Sequence, residues 1–194
     1  MSKKIFIWVA HPKAGSLSEG LADAYQKGAE ESGARVRRMD LHTMQFDRND
    51  DEIGFATSEL EPDLKAWQDN IDWADHVLIV HPYWWGAMPT KAKAVIDQAY
   101  RSGFAYRYKA RGIAWDKLLT GKTGDGIITS DTPPLLDTLL YWQPGRRVLK
   151  TQLFDFTGIK ARKIIQLGSV KMATKDKIQG WLARVQKMGA TAAA

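Results

Sequence analysis

The chain contains no cysteine among its 194 residues. That excludes disulfides, thiol nucleophiles, cysteine-ligated zinc and iron–sulfur clusters together. Any redox chemistry must then come from a bound organic cofactor. Histidine is scarce too, with four in all and no pair at metal-ligand spacing, so no metal is expected. No apolar run approaches the roughly 20 residues that span a bilayer. The basic start is followed by an apolar stretch over 5–10 that stops at His11-Pro12, too short for a signal-peptide core, and a cytoplasmic location is expected. Also missing are a Gly-Lys-Ser/Thr phosphate loop, a G-x-G-x-x-G fingerprint and a G-x-S-x-G elbow. Their absence sets aside P-loop nucleotide hydrolysis, Rossmann dinucleotide binding and serine hydrolysis.

Hydrophobic residues make up 44% of the chain, and eight Trp, six Tyr and six Phe are spread along it. This is enough to build one domain, expected over 1–188, and it excludes a disordered chain. Residues 189–194, Gly-Ala-Thr-Ala-Ala-Ala, read as a disordered tail. The 28 Lys+Arg exceed the 22 Asp+Glu, giving a net charge of +6. The basic clusters Arg35, Arg37, Arg38 and Arg107, Lys109, Arg111 are short and match no nucleic-acid-binding pattern, so no nucleic-acid partner is expected.

Apolar, β-rich runs over 4–10, 34–41, 76–80, 122–130 and 163–167 alternate with helical patterns. Such alternation predicts an α/β fold, a parallel sheet wrapped by helices. The charge of 34–41 marks an edge strand, and the unbroken apolarity of 76–80 marks a central one. Gly124 and Gly126 weaken the fourth strand. Helices are expected over 16–33, from Pro62 through Leu64, Trp67, Ile71 and Trp73, over 90–100, on either side of Pro144-Gly145, and over 174–188. Residues 42–61, with Asp47, Asp50, Asp51 and Glu52, read as a long loop that could wall a site, and 102–115 as a second loop.

Ligands of open parallel sheets bind beyond the carboxyl ends of the strands, which singles out three loops. The first holds His11, Lys13, Ser16, Leu17 and Ser18 at the start of a helix, where free N–H groups and hydroxyls suit a phosphate. An isolated serine there is more often a helix cap. The second loop puts Tyr83, Trp84, Trp85 and Gly86 between two prolines, a platform for a flat heterocycle or a subunit interface. The third, Thr129, Ser130, Asp131 and Thr132, offers three hydroxyls and a carboxylate. His42, His76 and His81 read as packed or surface groups, and Asp50-Asp51 as loop charge.

The run from Pro82-Tyr83-Trp84-Trp85-Gly86-Ala87-Met88-Pro89 to Gly103-Phe104-Ala105-Tyr106 resembles the NAD(P)H:quinone oxidoreductase family of flavodoxin-like flavoproteins, the DT-diaphorase and modulator-of-drug-activity type. His11-Pro12 with Ser16-Leu17-Ser18, and Phe156-Thr157-Gly158, are similar to further motifs of that family. The resemblance implies a doubly wound five-stranded sheet of order 2-1-3-4-5 with helices on both faces. It also implies bound FMN or FAD, with NAD(P)H as electron donor and a quinone or similar small molecule as two-electron acceptor. His11, Ser16, Leu17 and Ser18 would hold the flavin phosphate, Pro82, Tyr83, Trp84, Trp85 and Gly86 would line the ring, and Thr129 through Thr132 would close the other side. Phe104 and Tyr106 would shape the acceptor pocket. Family members often carry Thr-Thr-Gly-Gly in the third loop, so Asp131 puts a carboxylate near the ring. They also use a downstream Tyr and His, but no histidine follows His81 here, and no catalytic side chain is assigned. A homodimer with the site at its interface is implied. Relatives of this family also serve as flavin-binding regulatory subunits of a potassium efflux system, a peripheral membrane role, and electron-carrier flavodoxins share the fold.

Overall fold

The computed structural model describes residues 2–47 and 59–194. Asp50, Asp51 and Glu52 lie outside the described residues. The chain runs β1 (Lys4–Val9), α1 (Leu17–Glu31), β2 (Arg35–Asp40), α2 (Pro62–Trp73), β3 (His76–Pro82), α3 (Thr90–Ala99), β4 (Tyr106–Tyr108), β5 (Trp115–Lys117), β6 (Thr123–Thr129), α4 (Pro134–Tyr141), α5 (Pro144–Arg147), a π-helix (Val148–Asp155), β7 (Lys160–Leu167), a 3₁₀ turn (Val170–Met172) and α6 (Lys175–Ala193). Five parallel strands form one sheet in the order β2-β1-β3-β6-β7. This is the expected 2-1-3-4-5 arrangement once the small hairpin is set aside.

Alternation along β1 supplies both faces of the sheet. Phe6 and Trp8 join Leu64, Trp67, Val95 and Phe154 in one core, while Ile5, Ile7 and Val9 join Leu21, Tyr25 and Val185 in the other. A strand covered on both sides has no wet face, which is why β1 and β3 carry almost no polar residues. The open edges are treated differently. Arg35, Arg37 and Arg38 on β2, and Lys160, Arg162 and Lys163 on β7, set like charge along the two exposed ladders and oppose pairing with another sheet.

Three expectations are corrected. The residues expected to fray continue α6 to Ala193, with Ala192 buried. There α6 meets α1 so closely that a Cβ on Gly189 would stand 2.0 Å from the Tyr25 carbonyl oxygen, and one on Gly28 2.0 Å from that of Gln186. Next, the 102–115 loop contains the antiparallel β4–β5 hairpin, anchored by Trp115, which stacks on Phe156 at 4.6 Å and donates to its carbonyl. Last, Gly124 and Gly126 do not weaken β6. Phe154 and Leu149 of the π-helix occupy the space that side chains there would need.

Beneath α1, the Tyr25 hydroxyl donates to Asp125 at 2.8 Å and accepts from His76 Nε2 at 2.9 Å, with all three residues buried. The second Asp125 oxygen accepts from the Lys163 amide at the bulge where β7 gains a residue against β6. Burial works to raise the Asp125 carboxyl, but His76 at 3.6 Å, the hydrogen bond from Tyr25 and the charge of Arg162 outweigh that and hold it below the ordinary value. Burial and the neighbouring Asp125 push the Tyr25 phenol well up. Tyr25→Phe leaves an oxygen and a ring nitrogen unpartnered in the core. It should lower the unfolding free energy by about 1–3 kcal/mol in a urea titration; an unchanged midpoint would show that the network contributes nothing.

Candidate functional site

The carboxyl ends of β1, β3, β6 and β7 open on one cavity of about 340 Å³. Its first wall follows β1. The strand ends at Val9, and the chain turns through Gly15 at a positive φ of 68° before Ser16 caps α1. The Ser16 hydroxyl accepts from the Glu19 amide at 3.3 Å, and Gly15 N–H donates to the Glu19 carboxylate. Ser16 is therefore a helix cap, as an isolated serine there most simply is. Ser18 is not. Its hydroxyl oxygen is buried and has no hydrogen-bond partner among the described residues, although Ser18 lines the cavity. The N–H groups of Leu17 and Ser18 open the helix and have no acceptor within it.

His11 stands beside them. Its Nδ1 lies 3.1 Å from both the amide and the carbonyl oxygen of Lys13, so the Lys13 backbone holds the ring in either tautomer. Burial lowers its pKa, so the ring is neutral at pH 7, packed edge-on against Trp84 at 5.7 Å. Two amide donors, an orphan hydroxyl and Lys13 stand together in the lining, a set of the kind that could hold a phosphate.

The second wall follows β3. Trp84 and Ala87 exchange both backbone hydrogen bonds, 2.8 and 3.0 Å, closing a tight turn with Trp85 and Gly86 at positive φ of 51° and 80°. A tryptophan in that region is strained, and such strain is retained where a site needs the turn. Tyr83 N–H is spent on Thr129, and its hydroxyl donates to Asp137. Burial raises that phenol. Of the amides in this turn, that of Trp84 is committed to Ala87.

The third wall is Thr129, Ser130 and Asp131, with Val170 behind them. Ser130 Oγ donates to the Thr132 carbonyl at 2.7 Å and accepts from Gln166, while Asp131 accepts from the Lys171 amide at 2.8 Å. The Asp131 carboxylate is thereby tied to the turn after β7.

Of the residues singled out, His11, Ser16, Leu17, Ser18, Pro82, Tyr83, Trp84, Thr129, Ser130 and Asp131 line this cavity together. Thr132 contributes a carbonyl to Ser130 and does not line it. Trp85 stands fully out in solvent at 104% exposure, and Gly86 lines a neighbouring cavity instead. Phe104 and Tyr106 are also absent from the lining. They pack on the core, Phe104 near Tyr100 and Tyr106 near Phe156, because the β4–β5 hairpin folds back on the Phe156 turn. Val170 was missed. The signal was its place just past the carboxyl end of the last strand, the rule that found the other three loops.

A family model of the flavodoxin-like fold matches residues 3–188. The chain belongs to the flavodoxin-like family. Among relatives, this flavodoxin-like chain is 29% identical over 159 residues to a Penicillium crustosum protein named ribosyldihydronicotinamide dehydrogenase-like protein traD, covering 72% of this chain and 58% of that one. It is 28% identical over 110 residues to the Escherichia coli protein YcaK, named an uncharacterized NAD(P)H oxidoreductase, covering 54% and 56%. The chain thus spans little more than half the length of these curated relatives. Among solved structures, Smu.1420 from Streptococcus mutans superposes with a TM-score of 0.83 at 27% identity over 97% of this chain and 99% of that one. The NAD(P)H:quinone oxidoreductase of Methanothermobacter marburgensis shares the fold at a TM-score of 0.81 and 23% identity, over 98% of each chain. An FMN-dependent NADH-azoreductase from Bacillus anthracis, solved with FMN, does so at 0.76 and 18%, over 99% of this chain and all of that one.

One helix of this flavodoxin-like chain is inside out. On α4, Asp137 is buried against Arg146 and Tyr83, and Thr138 accepts from Arg146, while Leu135, Leu136, Leu139 and Leu140 are exposed, with Tyr141 and Trp142 beyond them.

Proposed function

We propose that the protein is a flavin-dependent NAD(P)H dehydrogenase that reduces quinones or similar acceptors by two-electron transfer through bound FMN or FAD. The observation that carries this is the unpartnered buried hydroxyl of Ser18 at the foot of a cavity walled by three strand-end loops. Leaving such a group unpaired costs about 1–3 kcal/mol, and a phosphate oxygen would repay it. The names of the relatives agree with that chemistry. Bound there, a flavin supplies the exchange of two electrons between a nicotinamide and an acceptor. The protein's own residues do the holding. His11, Ser18 and the amides of Leu17 and Ser18 take the phosphate, Tyr83 and Trp84 back the ring, and Thr129 and Ser130 close the far side. Net charge favours an enzyme over a carrier, since carriers that dock on basic partners are acidic and this chain is at +6.

The test is the visible spectrum of protein reconstituted separately with FMN and FAD and mixed anaerobically with NADPH. Retained colour that bleaches with NADPH and returns with a quinone is expected, and the tube that keeps colour names the cofactor. Flavin that binds but never bleaches would refute the enzyme reading.

A homodimer forms part of the same proposal. Six side chains on and just after α4, from Leu135 to Trp142, are 45–72% exposed. They offer on the order of 700 Å², close to the ~800 Å² that a standard interface buries per partner. Leu139→Glu with Leu140→Glu should halve the mass measured by sedimentation velocity; a wild type already monomeric at high concentration would end the dimer proposal.

A further inference from the structure

Behind the turn that carries Trp84 lies a second cavity, of about 350 Å³, between that turn, α3 and the π-helix. Its walls are nearly all carbon, with Met88, Ile96, Val148, Leu149 and Leu153 supplying most of them. The π-helix faces it this way for a reason already given, since Gly126 draws Leu149 down onto the sheet and so fixes which residues of the helix are left to border the cavity. Lys93 and Asp97 also border it, but they pair with each other and offer no free charge.

Gln152 in the wall is exposed, and the buried polar residue there is His81. It is 2% exposed, and its Nδ1 donates to the Pro82 carbonyl at 2.8 Å. With the proton held on Nδ1, Nε2 is left as a lone-pair acceptor without a partner among the described residues. Complete burial keeps the ring neutral down to a pKa of about 4. An apolar cavity with one buried neutral acceptor discriminates in two directions. An ion entering it would lose hydration without finding a counter-charge. A bare hydrocarbon would fill the space and leave the nitrogen unpaired.

We propose that this cavity is a second ligand site, taking a small neutral aromatic alcohol of one or two rings whose hydroxyl donates to His81 Nε2. The site does not depend on the proposed flavin chemistry. It shares Gly86 and Ala87 with the strained turn, so an occupant braces from behind the segment whose front face, through Trp84, borders the first cavity.

The probe is 1-naphthol, added to flavin-saturated full-length protein labelled with ¹³C at the methionine methyls, the Met88 signal being assigned from Met88→Leu. The Met88 methyl should shift saturably while those of Met44 and Met188 stay put. Naphthalene should bind at least fivefold more weakly, and 1-naphthoate should leave the signal unmoved. Val148 is half exposed, so Val148→Trp should fold normally and block the cavity, abolishing the shift. His81→Phe should erase the preference for naphthol over naphthalene; if that variant does not fold, Val148→Trp and the two comparison ligands decide. An unmoved Met88 signal, an equal shift in Val148→Trp, or equal affinity for naphthol and naphthalene in the wild type would each overturn the proposal.

Discussion

Ser18→Ala should make the flavin-free protein more stable and the flavin-bound protein less tightly loaded. In the free chain the Ser18 hydroxyl is buried without a partner, so removing it relieves a desolvation penalty and should raise the unfolding free energy by about 1–2 kcal/mol. With a phosphate in the cradle the same hydroxyl donates to a charged acceptor. Such a bond contributes about 1.5–3 kcal/mol, so the variant should bind flavin roughly ten- to a hundredfold more weakly. The opposite signs separate a binding role from a structural one. Ser16→Ala is the control: it removes a helix cap, should cost about 1 kcal/mol of stability, and should change flavin affinity less. Thermal melts without flavin and quenching titrations with it measure both quantities. A Ser18→Ala protein that loses stability and keeps its affinity would show that the cradle is misassigned.

The wild type should lose stability steeply between pH 6.5 and pH 4. His81 has a pKa of about 4 when folded, against an ordinary value near 6.5 when unfolded. Across that window the unfolded chain binds a proton that the native chain refuses, so stability is full above about pH 6.5 and falls as the pH drops toward the folded value. The shift of about 2.5 units corresponds to about 3 kcal/mol over the whole window. His11, also depressed by burial, acts in the same direction. Asp125 does not enter here, because its depressed carboxyl loses stability only below the ordinary carboxylate range. His81→Asn cannot titrate, so its loss between pH 7 and pH 4.5 should be smaller than the wild type's by about 2–3 kcal/mol in chemical denaturation. Equal losses would mean that the His81 ring takes up its proton in the folded state without penalty.

What could be read from the chain follows from where the signal is local. The run 76–80 announces a central strand because both its neighbours and both its faces are protein, and the arginines of β2 announce an edge. The strand-end rule found three of the four loops of the site, and the aromatic run after Pro82 marked the most unusual of them. What could not be read depends on contacts made across the fold. Two serines two residues apart look alike until the first turn of α1 decides that Ser16 caps it and Ser18 turns inward. The hairpin strands are three residues each and exist because Trp115 finds Phe156. In Pro134–Tyr141 only the Arg146 and Tyr83 contacts reveal that Asp137 faces in and the leucines out.

The close seating of α6 on α1 also governs how the protein can be made. Leu21, Tyr25 and Ala29 are translated more than a hundred residues before the helix that covers them through Val185, Met188 and Ala192. At about 5–20 residues per second the apolar face of α1 stays uncovered for roughly ten to thirty seconds. The glycine contacts at Gly28 and Gly189 admit no substitute helix with a side chain at that crossing, so during synthesis this face is a surface for chaperones to guard until its own partner arrives.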